Sequence, residues 1–210
     1  MKFKILAITI LLSLISIGCN KSGDIKIDKQ IWMSKNLNVI KFNNGDLIKE
    51  AKTKSEWIDA LKTGTPAWCY SDNDTNNGEK YGVLYNWFAI SDKRGITPIG
   101  YHIPTKAEWL VLINFLGGEK IAGEKLKSTV GWEEQGNGTD TFGFCGLPGG
   151  FRDELGDFNN EGSLAMFWTT TEFKKNNLCY FINLDWGTND CNFEIGGKGY
   201  GFSVRCIKDK

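Results

Sequence analysis

A chain of 210 residues with one histidine, four prolines and three methionines has several chemistries closed to it at the outset. His102 is the sole imidazole, and no serine stands in a Gly-x-Ser-x-Gly elbow, so a hydrolase triad lacks a base. The six cysteines are spaced too widely for the tight clusters of a zinc site. No basic cluster occurs, and Lys plus Arg equals Asp plus Glu at 25 each, which excludes the electrostatic footprint of a nucleic-acid binder. The opening uncharged run, Ile5 to Ile17, falls short of the ~20 residues that span a bilayer as a helix.

That run reads instead as an export signal. Lys2 and Lys4 precede it, and Ser16-Ile17-Gly18-Cys19 ends it with a small residue before cysteine, the form of a bacterial lipobox. Residues 1–18 are therefore expected to be a lipoprotein signal peptide, with Cys19 becoming the acylated, palmitate-bearing first residue of the mature protein and residues 19–24 forming a lipidated polar tether. Ser16 stands where a leucine is usual, and the alternative is ordinary cleavage with Cys19 as a core thiol. The expected location is the bacterial cell envelope, with a membrane bound through the N-terminal lipid. The remaining 192 residues carry 23 basic against 25 acidic side chains, a net of −2 once Lys2 and Lys4 are removed. That length suits one domain, residues 25–210, with a core of its own.

Twenty-five glycines and 13% aromatics favour a loop-rich, β-dominated domain. The clearest local signal is Tyr101-His-Ile-Pro-Thr-Lys-Ala-Glu-Trp109. Thr105 and Glu108 make a capping box, Trp109, Leu112, Ile113 and Leu116 share one helical face, and Gly117-Gly118 stop the helix. Thr53 and Glu56 repeat the device before Trp57, Ile58 and Leu61, with Gly64 and Pro66 closing a helix of about ten residues. Ile25–Ile27 and Ile31–Met33 read as opening strands, and Asn43-Asn44-Gly45-Asp46 as a turn. The segment 121–128 is a weaker helical pattern, and Asn137 to Gly150 an ordered loop packed by its own Phe and Leu side chains. Leu178 to Asp185 alternates, turns at Asp185–Asp190 and returns through Cys191–Ile195 as a hairpin. Gly201 to Ile207 is the closing strand.

His102-Ile-Pro-Thr-x-x-Glu-Trp109, Leu126-Lys-Ser128, Gly131-Trp132, Gly143-Phe-x-Gly-Leu-Pro-Gly-Gly150, Trp168-Thr-Thr-Thr and Gly201-Phe-Ser-Val-Arg-Cys206 together resemble the Fibrobacter succinogenes major paralogous domain, from about Ile31 to Lys208. The resemblance implies an α+β, C-type-lectin-like fold with loop-rich antiparallel strands and two main short helices, related more distantly to the formylglycine-generating-enzyme domain. It implies no activity. The oxidases of that distant group use a closely spaced cysteine pair, and Cys179 and Cys191 are too far apart to match it, so no catalytic residue is expected and the chain is read as a non-enzyme.

Five cysteines besides Cys19 can be paired, one left out, in fifteen ways, so the sequence leaves connectivity open. Cys179 and Cys191 lie symmetrically about Asp185, where a hairpin would oppose them. The resemblance further implies that Cys206, whose usual partner position is occupied here by Thr97, is free to pair with Cys69, leaving Cys145 as the odd thiol. Asp72, Asp74 and Asn76 alternate as calcium-loop oxygens do, but Asn77 replaces the sixth-position glycine and no twelfth-position glutamate follows, so an Asx-rich surface turn is the favoured reading, calcium the alternative, and no other cofactor is expected. The expected function is an extracytoplasmic binding module for glycans, or else an adhesion module for a protein partner. Its expected ligand site is the hairpin tip, where Trp186 stands beside Asp185, Thr188, Asn189 and Asp190 as an aromatic platform flanked by polar groups.

Overall fold

The computed structural model describes residues 23–174 and 177–210; the signal segment, Cys19 and the first residues of the tether lie outside the described residues. β1 (Asp24–Ile27) and β2 (Gln30–Met33) form the opening hairpin, with Asp28 at φ 53° in its turn. After β3 (Lys49–Glu50) comes α1 (Lys54–Thr63). There the Thr53 hydroxyl accepts from the Glu56 N–H, the Glu56 carboxylate accepts from the Thr53 N–H, and Gly64 stops the helix at φ 65°. Next come β4 (Ala67–Cys69), α2 (Thr75–Tyr81), β5 (Leu84–Tyr85), α3 (Trp87–Ile90) and β6 (Tyr101–His102). α4 (Lys106–Phe115) has the second capping box, Thr105 with Glu108, and α5 (Glu119–Leu126) follows it. β7 (Gly149–Arg152), β8 (Phe158–Glu161), β9 (Leu164–Glu172), β10 (Leu178–Asp185), β11 (Cys191–Gly197) and β12 (Ile207–Lys208) complete an α+β fold.

The strands make three sheets: β11-β10-β9-β7-β8, β1-β2-β12-β6 and β3-β4-β5. The largest is covered on both faces, and its side chains alternate between two cores. Ala165, Phe167, Ile182 and Leu184 join Trp32, Trp109, Leu112 and Phe144 beneath α4. Met166, Trp168, Cys179 and Phe181 join Trp87, Phe202 and Val204 on the other side. A sheet buried on two sides cannot show polar-out alternation, which is why β9 is apolar on both faces from Leu164 to Trp168. Trp109 is fully buried with its ring centroid 4.8 Å from that of Trp32 and 5.8 Å from those of Phe144 and Phe167. Truncating a ring so enclosed costs about 3–5 kcal/mol, so the family-motif tryptophan is the hub of one core. α4 is apolar on its outer side as well, where Leu110, Val111 and Phe115 are exposed.

Two expectations need correction. The polar stretch after Cys69 is a 3-10 turn and then α2, with Asp74 as N-cap accepting from the Asn76 N–H. The closing strand is broken: Gly201, Phe202 and Ser203 make single bridges to Arg152, Tyr85 and Phe167, and only β12 pairs regularly, between β2 and β6. Arg205 occupies the gap. Its buried guanidinium donates to Asn36 Oδ1 (2.6 Å), to Met33 O (3.3 Å) and to the carbonyls of Phe144 and Cys145. The motif arginine thus fastens the irregular 137–150 loop to the exit of β2, spending its donors on carbonyls that would otherwise be buried without partners.

Candidate functional site

A cleft of about 800 Å³ opens at the end of the β10–β11 hairpin remote from its turn, within the size range of small-molecule sites. Half-buried Phe88, Phe151 and Tyr200 line it, with Glu154, Glu194 and Lys198 as its charged groups. The Tyr200 and Phe202 rings stack at 5.4 Å with 18° between their planes, and Phe151 stands 6.0 Å from Tyr200. One wall is the Gly196-Gly-Lys-Gly-Tyr-Gly201 run. Trp57 Nε1 donates to Gly199 O (2.8 Å) and the Trp87 N–H donates to Lys198 O (3.1 Å), which fixes that run from beneath. The glycines there make room: a Cβ at Gly199 would stand 2.7 Å from Leu61, one at Gly196 3.1 Å from the Phe181 ring, and one at Gly197 would collide with the Glu154 carboxylate.

The charged groups are unequal. Lys198 is paired with Glu172 at 3.1 Å, and Glu194 Oε1 accepts from Asn183 Nδ2 at 2.9 Å. Asp153, next to the cleft, spends its carboxylate on its own loop, accepting from the N–H groups of Leu155 and Asp157 and from Asn159 Nδ2. Glu154 alone of these carboxylates has no hydrogen-bond or ion-pair partner among the described residues, yet it is half-buried. Burial first, then the charges of Glu154 and Asp153, raise the Tyr200 phenol above its ordinary range. The cleft is aromatic and electronegative.

The sequence-predicted site lies at the other end of the same hairpin. Trp186 is 39% exposed, as the platform reading requires, but the side chains of Asp185, Thr188 and Asp190 beside it are engaged within the tip. Lys127, buried under the tip, donates from Nζ to Asp185 O (3.0 Å) and Thr188 O (2.7 Å). Asp185 Oδ1 accepts from the Gly187 N–H, Thr188 Oγ1 from the Asp190 N–H, and the Asp190 carboxylate pairs with Lys120 at 2.6 Å. The Glu124 N–H donates to Asn189 O at 3.3 Å. The tip is a locked turn bearing one exposed ring, and its hydrogen-bonding groups build the turn.

Other expected groups are likewise engaged. Asp74 Oδ1 accepts from both the backbone N–H and the Nδ2 of Asn76 (2.9 Å each), Asp72 sits at φ 52° in the preceding turn, and among the described residues no cluster of three His, Cys, Asp or Glu is placed to hold a metal. His102 bridges Asp209 (2.6 Å) and Glu108 (2.8 Å). Burial pulls its imidazole down, but those hydrogen bonds outweigh it and hold the ring above the usual histidine range. With both nitrogens on carboxylates, His102 ties β6 to α4 and to the chain end.

The expected disulfides are not formed: Cys69, Cys179, Cys191 and Cys206 are free, buried thiols. The hairpin register places Leu184 opposite Cys191 and Gly196 opposite Cys179, so the two cysteines are at opposite ends of the ladder. They also belong to different cores on opposite faces of the sheet. Cys69 lies in a third cluster with Trp57, while Cys206 joins the Trp168 core. Burial pushes the Cys69, Cys179 and Cys206 thiols up to about 12, and Cys191 also upward. Cys145, expected to be the odd thiol, is bonded rather than free.

Reading the sequence missed the cleft because its walls come from separated stretches. The one local signal was the run of four glycines in Gly196–Gly201, denser than any turn requires. The family model of the Fibrobacter succinogenes major domain matches residues 25–208, starting at β1 and so six residues earlier than the motifs alone indicated. No curated protein and no solved structure matches the chain.

Proposed function

The chain belongs to the Fibrobacter succinogenes major domain family, and from that premise we propose that it is a lipid-anchored, non-enzymatic binding module of the bacterial cell envelope that takes a saccharide in the cleft beside Tyr200. The observation that carries the reading is the cleft itself: half-buried Phe and Tyr rings offering apolar faces, with carboxylates beside them to accept from hydroxyl groups. A C-type-lectin-like scaffold is consistent with two ten-residue capped helices, sheets that are mainly antiparallel apart from the β3–β4 and β7–β9 pairs, and first and last strands in one sheet. Export and anchoring are supported by the short apolar leader ending at Cys19, and no helix among the described residues is long and apolar enough to cross a membrane. A Cys19→Ala chain is expected to lose lipid labelling and leave the membrane fraction.

A glycan array with the mature domain tests the ligand class. Binding is expected to be lost in Tyr200→Ala and Phe151→Ala, kept in Trp186→Ala, and unchanged by EDTA, since Asp74 and Asn76 are committed to capping α2. Loss in Trp186→Ala with retention in Tyr200→Ala would move the site to the hairpin tip.

A second reading, an adhesion module for a protein partner, is favoured by Trp186 alone. A large exposed ring held on a rigid turn is the form of an interface anchor. In that case Trp186→Ala abolishes capture of the partner, and the array is silent.

A further inference from the structure

We propose that the cleft is specific for a ligand bearing a protonated amine, with Glu154 as the group that pairs it; within the saccharide reading, on which this rests, the ligand is an amino sugar with a free rather than acylated amine. The argument begins with charge. Of the cleft's charged side chains, Lys198 is neutralised by Glu172, and Glu194 is steadied by Asn183. Glu154, a half-buried residue on the cleft wall, is left with a carboxylate that has neither a cation nor a donor among the described residues. A carboxylate at a cleft wall with no partner of its own favours whatever cation can reach it.

The surroundings select the kind of cation. Half-buried Phe151, Tyr200 and Phe88 line the same cleft, and aromatic faces attract an ammonium through the ring quadrupole. A strongly hydrated metal ion would need several oxygen ligands, which this cleft lacks. An ammonium on an apolar or pyranose frame uses both the rings and the single carboxylate. The glycine wall points the same way: Gly197 is where any Cβ would displace the Glu154 carboxylate, so the sequence keeps clear the space in which that carboxylate sits.

Four probes at pH 5.5 test the proposal by isothermal titration: cellotetraose, tetra-N-acetylchitotetraose, chitotetraose with free amines, and benzylammonium. The first three share one β-1,4 backbone and differ only in hydroxyl, acetamide or amine. Chitotetraose is expected to bind at least tenfold tighter than the other two, an advantage that shrinks with salt. Glu154→Gln should abolish the advantage and leave the weaker neutral affinities in place. Gly197→Ala should do the same by displacing the carboxylate, with an unchanged thermal midpoint showing that the fold is intact. Equal affinity for the three saccharides, or an amine preference that survives Glu154→Gln, would overturn the inference while leaving the saccharide reading standing. If no saccharide binds, that reading fails and benzylammonium decides: binding lost in Glu154→Gln sustains the amine site, and no binding overturns it.

Discussion

The two ends of the β10–β11 hairpin, roughly 23 Å apart at ~3.3 Å per residue, meet the rest of the protein in opposite ways. At the turn, main-chain groups are consumed: Lys127 reaches up from α5 to two carbonyls, and Gly123 brings the helix against the Asn189–Asp190 backbone. At the open end, Gly196 and Gly197 leave room for the Phe181 ring and the Glu154 carboxylate to lie against the strand, and that carboxylate has no partner among the described residues. Both ends use glycine for proximity. One uses it to close a contact between backbones, the other to keep a space for a side chain, and only the second leaves chemistry available for a ligand.

Substitutions can break that contrast. The largest effect is expected from Gly123→Ala. In a free helix the change would stabilise by about 1 kcal/mol, but here the Cβ meets the Asp190 carbonyl, rigid backbone, and overpacking should win with a net loss of about 2–3 kcal/mol, read by chemical denaturation. A stabilised variant would show that the tip is not locked. Lys127→Met leaves the Asp185 and Thr188 carbonyls without their donor and should cost about 2 kcal/mol, with faster hydrogen exchange confined to residues 185–191.

Gly197→Ala, in contrast, meets the mobile end of a side chain and should stay within ~0.5 kcal/mol; a loss as large as that of Gly123→Ala would erase the distinction between the two ends. The cysteines test the register that separates them. Cys179 and Cys191 should be recovered unlinked in non-reducing peptide maps and should react with alkylating reagents only after unfolding, since burial raises both thiols. A Cys179–Cys191 peptide would show a different hairpin. The smallest effect is spectroscopic: Glu154→Gln removes one of the charges that raise Tyr200, so the tyrosinate absorbance of that variant should develop at lower pH than in the parent, and an unchanged titration would place Glu154 away from the ring.

What could be read from the sequence was what is encoded locally. Both capping boxes, Thr53 with Glu56 and Thr105 with Glu108, involve neighbours three residues apart, and both helices form where those signals place them. The hairpin was legible as an element but not in register. Equal spacing of Cys179 and Cys191 about Asp185 suggested opposition, whereas the ladder is centred between Gly187 and Thr188, because the Asx turn at Asp185 and the Lys127 anchor shift the bend. The exposed Trp186 was found, but its polar neighbours were misassigned, since nothing local reveals that a lysine nearly sixty residues away claims the carbonyls. The cleft was invisible for a similar reason. Glu154 and Gly197 become neighbours only when the β7–β8 hairpin and β11 come together, and the lack of a partner for Glu154 among the described residues is a property of that assembly.

β1 and β12 belong to one sheet, with β2 between them. Asp24 and Lys208 form an ion pair at 3.2 Å, and Asp24 also accepts from the Tyr101 hydroxyl, so entrance and exit of the domain lie side by side. A unit built this way behaves like a bead with both threads emerging from one hole. It can be spliced whole into the surface loop of an unrelated host, or reopened at the exposed Asn43–Asp46 turn with its old ends fused, because neither rearrangement asks the backbone to cross the molecule.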